Sequence, residues 1–127
     1  MLLNRLSLLL ALAWMAVLFY LSHQPTLDTP MLFPGQDKLF HALVYGVLGF
    51  LLLGSRTPAP DGFTELQIRS SILIASLYGI SDEFHQYFIP GRSADAWDWV
   101  ADTLGAVIAV SLLAWLIRKW KSAVAVT

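Results

Sequence analysis

Ser81-Asp-Glu-Phe-His-Gln86 sets two adjacent carboxylates, an imidazole and an amide at the end of the apolar run 72–80, and Pro90-Gly91 then leads to the guanidinium of Arg92. Ionisable groups that close a membrane-length apolar run are expensive to keep there and mark a functional site by default. Two further sets have helical spacing. Asp37, His41 and Tyr45 are four residues apart, with Lys38 beside them; Asp95, Asp98 and Asp102 fall at i, i+3 and i+7, and Gly105 and Ala109 continue their stripe. On a helix Asp82, His85 and Gln86 share a face, whereas Asp82 and Glu83 point about 100° apart.

These residue types suit three kinds of chemistry. Glu83 or Asp82 with His85 would supply acid and base groups, Arg92 would hold an anionic headgroup as a fork, and Asp98 with Asp102 would orient the base. Asp82, Glu83, His85, Asp98 and Asp102 together would make an oxygen-rich site with an imidazole, suited to a hard or borderline divalent cation. His41, Tyr45, Lys38 and Gln86 would line a binding surface beside Arg92. Each group also has a plain structural role. Asp37 and Ser93 are placed to cap helices, His41 and Tyr45 to hydrogen-bond between helices, and Asp98 and Asp102 to pair with Lys38 and Arg92. No Gly-x-Ser-x-Gly elbow, phosphate-cradling glycine loop or His-Glu-x-x-His zinc motif occurs, so nothing in the sequence names a nucleophile.

The elements that must position these residues are greasy. Of 127 residues 57% are hydrophobic and only 13% charged, which is a polytopic membrane composition. A net charge of −1 gives no basic footprint for nucleic acid, and zero cysteines exclude disulfides and thiolate ligands. We read an all-α membrane protein, a single domain with a bundle of four transmembrane helices at about 5–22, 37–54, 64–88 and 94–120. The first is an uncleaved signal-anchor helix, because Phe19-Tyr-Leu-Ser-His-Gln-Pro25 follows the apolar run where a small-residue cleavage site would stand. Thr64-x-x-Gln67 has the form of a capping box opening the third helix. Gly46, Gly49 and Gly54 offer close approach in the second. Trp97, Trp99, Trp115 and Trp120 sit toward the two ends of the fourth, where indoles suit the headgroup region.

With four spans both termini share one side. Arg5, Arg56, Arg69, Arg118, Lys119 and Lys121 lie on the termini and second loop, against Lys38 and Arg92 on the other loops, which places both termini in the cytoplasm. The ends of helices one and three and the starts of helices two and four then meet at the outer level. Within that cluster Asp37, Asp82, Glu83, Asp95, Asp98 and Asp102 against Lys38 and Arg92 leave −4 with His41 and His85 neutral. Protons, water, a bound cation or a cationic ligand must relieve it.

Ser22-His-Gln-Pro25, Asp37-Lys-x-x-His41-x-x-x-Tyr45-x-x-x-Gly49, Tyr78-Gly-Ile-Ser-Asp-Glu-Phe-His-Gln86, Phe88-Ile-Pro-Gly-Arg92 and Asp98-x-x-x-Asp102-x-x-Gly105 resemble the VanZ-like membrane proteins in order, type and spacing. The resemblance implies a small integral protein of the bacterial cytoplasmic membrane, related to one that gives low-level resistance to the lipoglycopeptide teicoplanin. Its expected partners are the lipid bilayer and a lipid-linked envelope precursor or a glycopeptide. Three functions follow as expectations: an envelope binding or resistance factor, an outer-leaflet enzyme acting on a lipid-linked or phospholipid substrate, and a proton- or cation-coupled carrier, which four short helices without a repeat suit least.

Overall fold

Small residues decide how this chain packs. In the computed structural model, which describes residues 1–25, 30 and 32–125, the helices are α1 (Leu2–Ser22), α2 (Gln36–Gly54), α3 (Glu65–Gln86) and α4 (Ala96–Val124), with no strand among the described residues. The most extensive contact is between α2 and α4. A Cβ built on Gly105 would overlap the Ala42 carbonyl, and one on Gly49 would come within 3.2 Å of the Ala106 backbone. Two backbones that close gain dispersion contacts along their length, which is what holds helices together when no hydrophobic effect separates them from lipid. Of the glycines read as approach points, Gly46 and Gly49 face α4 and Gly54 faces Ser7 of α1, while Gly105 is the α4 glycine that continues the aspartate stripe. α3 packs on α2 and α4, and α1 lies against α2 with a lighter contact to α3.

Successive helices run in alternating directions, as their ends show. At one end Asn4 Nδ2 donates to Thr57 Oγ1 at 2.8 Å, Ser7 Oγ donates to the Leu51 carbonyl at 2.9 Å, and Lys121 Nζ donates to the Ala59 carbonyl. Thr64 opens α3 there with a complete capping box, its hydroxyl accepting from Gln67 N while the Gln67 side chain accepts from Thr64 N. Leu53, Phe63, Val110 and Ala114 form the core at that end, and Ala11, Leu18, Tyr45, Leu48, Leu52, Ala75 and Ala106 form it further in.

Two caps differ from the sequence reading. The N-cap of α2 is Gly35 at φ +82°, with Asp37 inside the first turn, and the N-cap of α4 is Asp95, whose carboxylate accepts from Trp97 N at 2.9 Å. A left-handed residue suits the abrupt entry from Pro34, and only glycine adopts it without cost.

Three helices, α1, α2 and α4, are long and apolar enough to cross a membrane. α3 has the length, at 22 residues, but carries Arg69, Asp82 and Glu83 in its sequence. Its surface is another matter. Leu73, Leu77, Ile80 and Phe84 make an exposed stripe, while Ser71, Ala75, Gly79, Asp82, Glu83 and Gln86 are buried. The helix is apolar outside and polar inside, the reverse of a helix facing water.

Candidate functional site

The end opposite Thr64 gathers the polar residues of all four helices. A cavity of about 630 Å³ is lined by Ser22 and Pro25 after α1, Asp37, His41 and Tyr45 of α2, Asp82 and Gln86 of α3, and Arg92, Ser93 and Asp98 at the entry to α4. The juxtaposition of these four chain segments expected from spacing is therefore present in the fold.

Its outermost layer is a cation held by three carboxylates. Lys38 Nζ lies 2.6 Å from Asp95 Oδ2, 2.6 Å from Asp98 Oδ1 and 3.0 Å from Asp37 Oδ2. The Lys38 ammonium holds the Asp95 carboxyl, which precedes α4, below the usual aspartate range. Asp98 thus pairs with Lys38, as the structural reading of the sequence allowed, and Arg92 makes no ion pair among the described residues.

Behind that layer lies a buried group drawn from three helices. His41 Nδ1 is 2.9 Å from Asp102 Oδ1, and His41 Nε2 is 3.7 Å from Asp98 Oδ2. Glu83 Oε2 accepts the Asp95 backbone N–H at 2.8 Å, tying the end of α3 to the start of α4. Gly79 makes room for this: a Cβ there would stand 3.0 Å from Asp102 Oδ2. Trp99 Nε1 donates to Ser76 Oγ at 3.0 Å, and Ser76 shares a 2.8 Å hydrogen bond with Thr103, so α3 and α4 are also pinned one turn deeper. Trp99 is consequently half-buried between helices, whereas Trp97, Trp115 and Trp120 are exposed as interface indoles would be.

A third group forms the cavity wall. Gln86 Nε2 donates to Asp82 Oδ2 at 3.4 Å, and Gln86 Oε1 accepts from Arg92 Nε at 3.2 Å and Nη2 at 2.8 Å. The amide relays between a carboxylate and a guanidinium, and it fixes the guanidinium without neutralising it.

His85 is elsewhere. Its Nε2 lies 3.2 Å from His23 Nδ1, and its ring packs against Phe19 at 4.7 Å. A helix advances about 100° per residue, so His85 stands about 160° from Glu83, one on the α1 flank and the other on the α4 flank of α3. The imidazole beside Glu83 is His41. Spacing alone pairs residues within a helix; it does not say which neighbour each flank meets, so it groups His85 with Asp82 and Glu83 and leaves His41 to the binding surface.

Four buried side-chain atoms lack a hydrogen-bond partner among the described residues: Ser22 Oγ, Tyr45 Oη, Glu83 Oε1 and Asp102 Oδ2. All four belong to this end. An unmade hydrogen bond on a buried polar group costs about 1–3 kcal/mol, so a cluster of them among the described residues makes this end the candidate site for a bound water, ion or ligand.

An all-helical bundle, apolar on its outside, with ionisable groups gathered at one end of its interior, defines a helical protein of membrane type. The VanZ/LLP1 family model matches residues 7–118, nearly the whole chain and every segment that forms the cavity, and the protein belongs to that family. No curated protein and no solved structure matches it.

Proposed function

We propose that this protein spans the bacterial cytoplasmic membrane four times with both termini in the cytoplasm, and that its cavity opens outward to receive the anionic headgroup of a lipid-linked envelope component. The apolar outer stripe of α3 supports its assignment as the fourth span despite its buried charges. The surplus of Lys and Arg at the end that holds Arg5, Arg56, Arg69, Arg118, Lys119 and Lys121 supports the orientation. The observation that carries the headgroup reading is Arg92: its guanidinium lines the cavity, is oriented by the Gln86 amide, and meets no carboxylate among the described residues, because Lys38 occupies Asp37, Asp95 and Asp98. A fixed guanidinium without a counter-ion is a fork for phosphate or carboxylate. Occupied by an envelope precursor or by a glycopeptide itself, such a pocket would lower the amount of teicoplanin accumulating at the membrane surface.

One observation favours a second reading. His41 between Asp102 and Asp98, beside Glu83, is an oriented imidazole of the kind that general acid–base catalysis uses, and it would make the protein an outer-leaflet enzyme on a lipid-linked or phospholipid substrate. Mass spectrometry of the purified protein in lipid nanodiscs containing anionic phospholipid or undecaprenyl phosphate separates the two. The binding reading predicts retention of an unaltered anionic lipid that Arg92→Ala releases and Arg92→Lys partly keeps. A converted lipid, with conversion lost in His41→Ala, would establish the enzyme. Equal retention of neutral and anionic lipid by wild type would refute the headgroup assignment.

A further inference from the structure

We propose that His41, Glu83 and Asp102 bind one divalent cation of the zinc or manganese class behind the cavity wall that His41 lines, with one ligand from each of α2, α3 and α4. Their ligating atoms all lie within 4.8 Å of one another. His41 Nδ1 and Asp102 Oδ1, 2.9 Å apart, are close enough for both to reach one ion through bonds of about 2.1 Å. In the metal-free protein the same distance is a hydrogen bond, so binding displaces that proton to solvent.

The independent observation is the pair of orphaned oxygens. Asp102 is fully buried and Glu83 is 8% exposed, and each keeps one carboxylate oxygen without a partner, Oδ2 and Oε1. Lys38 is held by three other carboxylates, and the Arg92 guanidinium is turned to Gln86. With only the His41 imidazole beside them, these two buried carboxylates suit a bound cation in a low-dielectric setting. The surroundings also fit what supports metal ligands. Glu83 Oε2 is fixed by the Asp95 N–H, and the second nitrogen of His41 faces Asp98 Oδ2 at 3.7 Å, the outer carboxylate that orients a ligating imidazole. Magnesium and calcium prefer all-oxygen shells, and the imidazole moves the preference toward zinc or manganese.

This inference deepens the reading of the cavity as a binding site, and the two fail separately, since a lipid-binding protein without metal refutes only this one. The test is isothermal titration of EDTA-treated full-length protein in detergent with ZnCl₂ and with MnCl₂. One equivalent is expected, weakened at least tenfold in Glu83→Gln and in Asp102→Asn, and unchanged in His85→Ala, which removes the exposed His23–His85 pair that would otherwise bind zinc adventitiously. No saturable binding by wild type, or loss in His85→Ala with retention in Asp102→Asn, overturns the proposal. Should the buried variants fail to fold, electron spin-echo spectra of manganese-loaded wild type decide: one coupled imidazole nitrogen supports the site, and none or two overturn it.

Discussion

Tyr45 is fully inside the bundle, yet its hydroxyl has no partner among the described residues, and it lines the same cavity as Arg92. Under the proposed binding role, a hydroxyl in that position would serve a ligand more than the fold. Tyr45→Phe should therefore leave the purified, ligand-free protein as stable as wild type or more stable by about 1 kcal/mol, read as a raised melting temperature in detergent, while weakening retention of the anionic lipid. A lower melting temperature would mean that the hydroxyl is a structural hydrogen bond. The residues of this site were legible in the sequence to different degrees. The stripes of Asp37, His41 and Tyr45 and of Asp98 and Asp102 needed only the helical period to be assembled, and all but Asp102, which stands behind His41, line the cavity. The grouping of His41 with Glu83 and Asp102 was not legible, because it depends on which flank of α3 meets α4. Nor was the fate of Arg92, since Lys38 and Arg92 compete for the same aspartates and only their reach in three dimensions decides between them.

At the scale of elements, α2 and α4 are the scaffold on which the site is hung: Asp37, Lys38 and His41 come from the first turns of one, Asp98 and Asp102 from the first turns of the other. Their separation is set by Gly105, where an added Cβ would run into the Ala42 carbonyl, a backbone atom that cannot turn aside. Gly105→Ala should cost about 1–3 kcal/mol through overpacking. Gly54→Ala makes the contrast, because its Cβ would meet only the end of the Ser7 side chain, at 2.8 Å, and a rotamer change relieves it. Thermal melts of the two variants in detergent should show a large fall for the first and a small one for the second; equal falls would contradict the packing account. The four helices and their order were legible because apolar runs and Pro–Gly breaks mark them plainly. Their caps were less so: the left-handed turn at Gly35 moves the cap of α2 upstream of Asp37, and Ser93 and Asp95 are both good cap residues two positions apart, of which the fold uses Asp95. The amphipathy of α3 was hidden as well, since counting its charges says nothing of the face on which they lie.

For the whole molecule, charge is distributed by end. The Thr64 end carries scattered Lys and Arg on exposed positions and loops, and the opposite end holds a net negative, largely internal cluster around one cavity. The proposed orientation rests on that asymmetry together with the proposed fourth span, and both the proposed lipid recognition and any effect on teicoplanin depend on the cavity facing outward. Because the chain has no cysteine, a single one placed at Ala94, exposed beside Asp95 and Ser93 at the cavity end, reports on that point without background. In intact cells Ala94→Cys should react with a membrane-impermeant maleimide at the rate seen after permeabilisation. Labelling that appears only when the cytoplasmic membrane is opened would place the cavity on the inside and contradict the account.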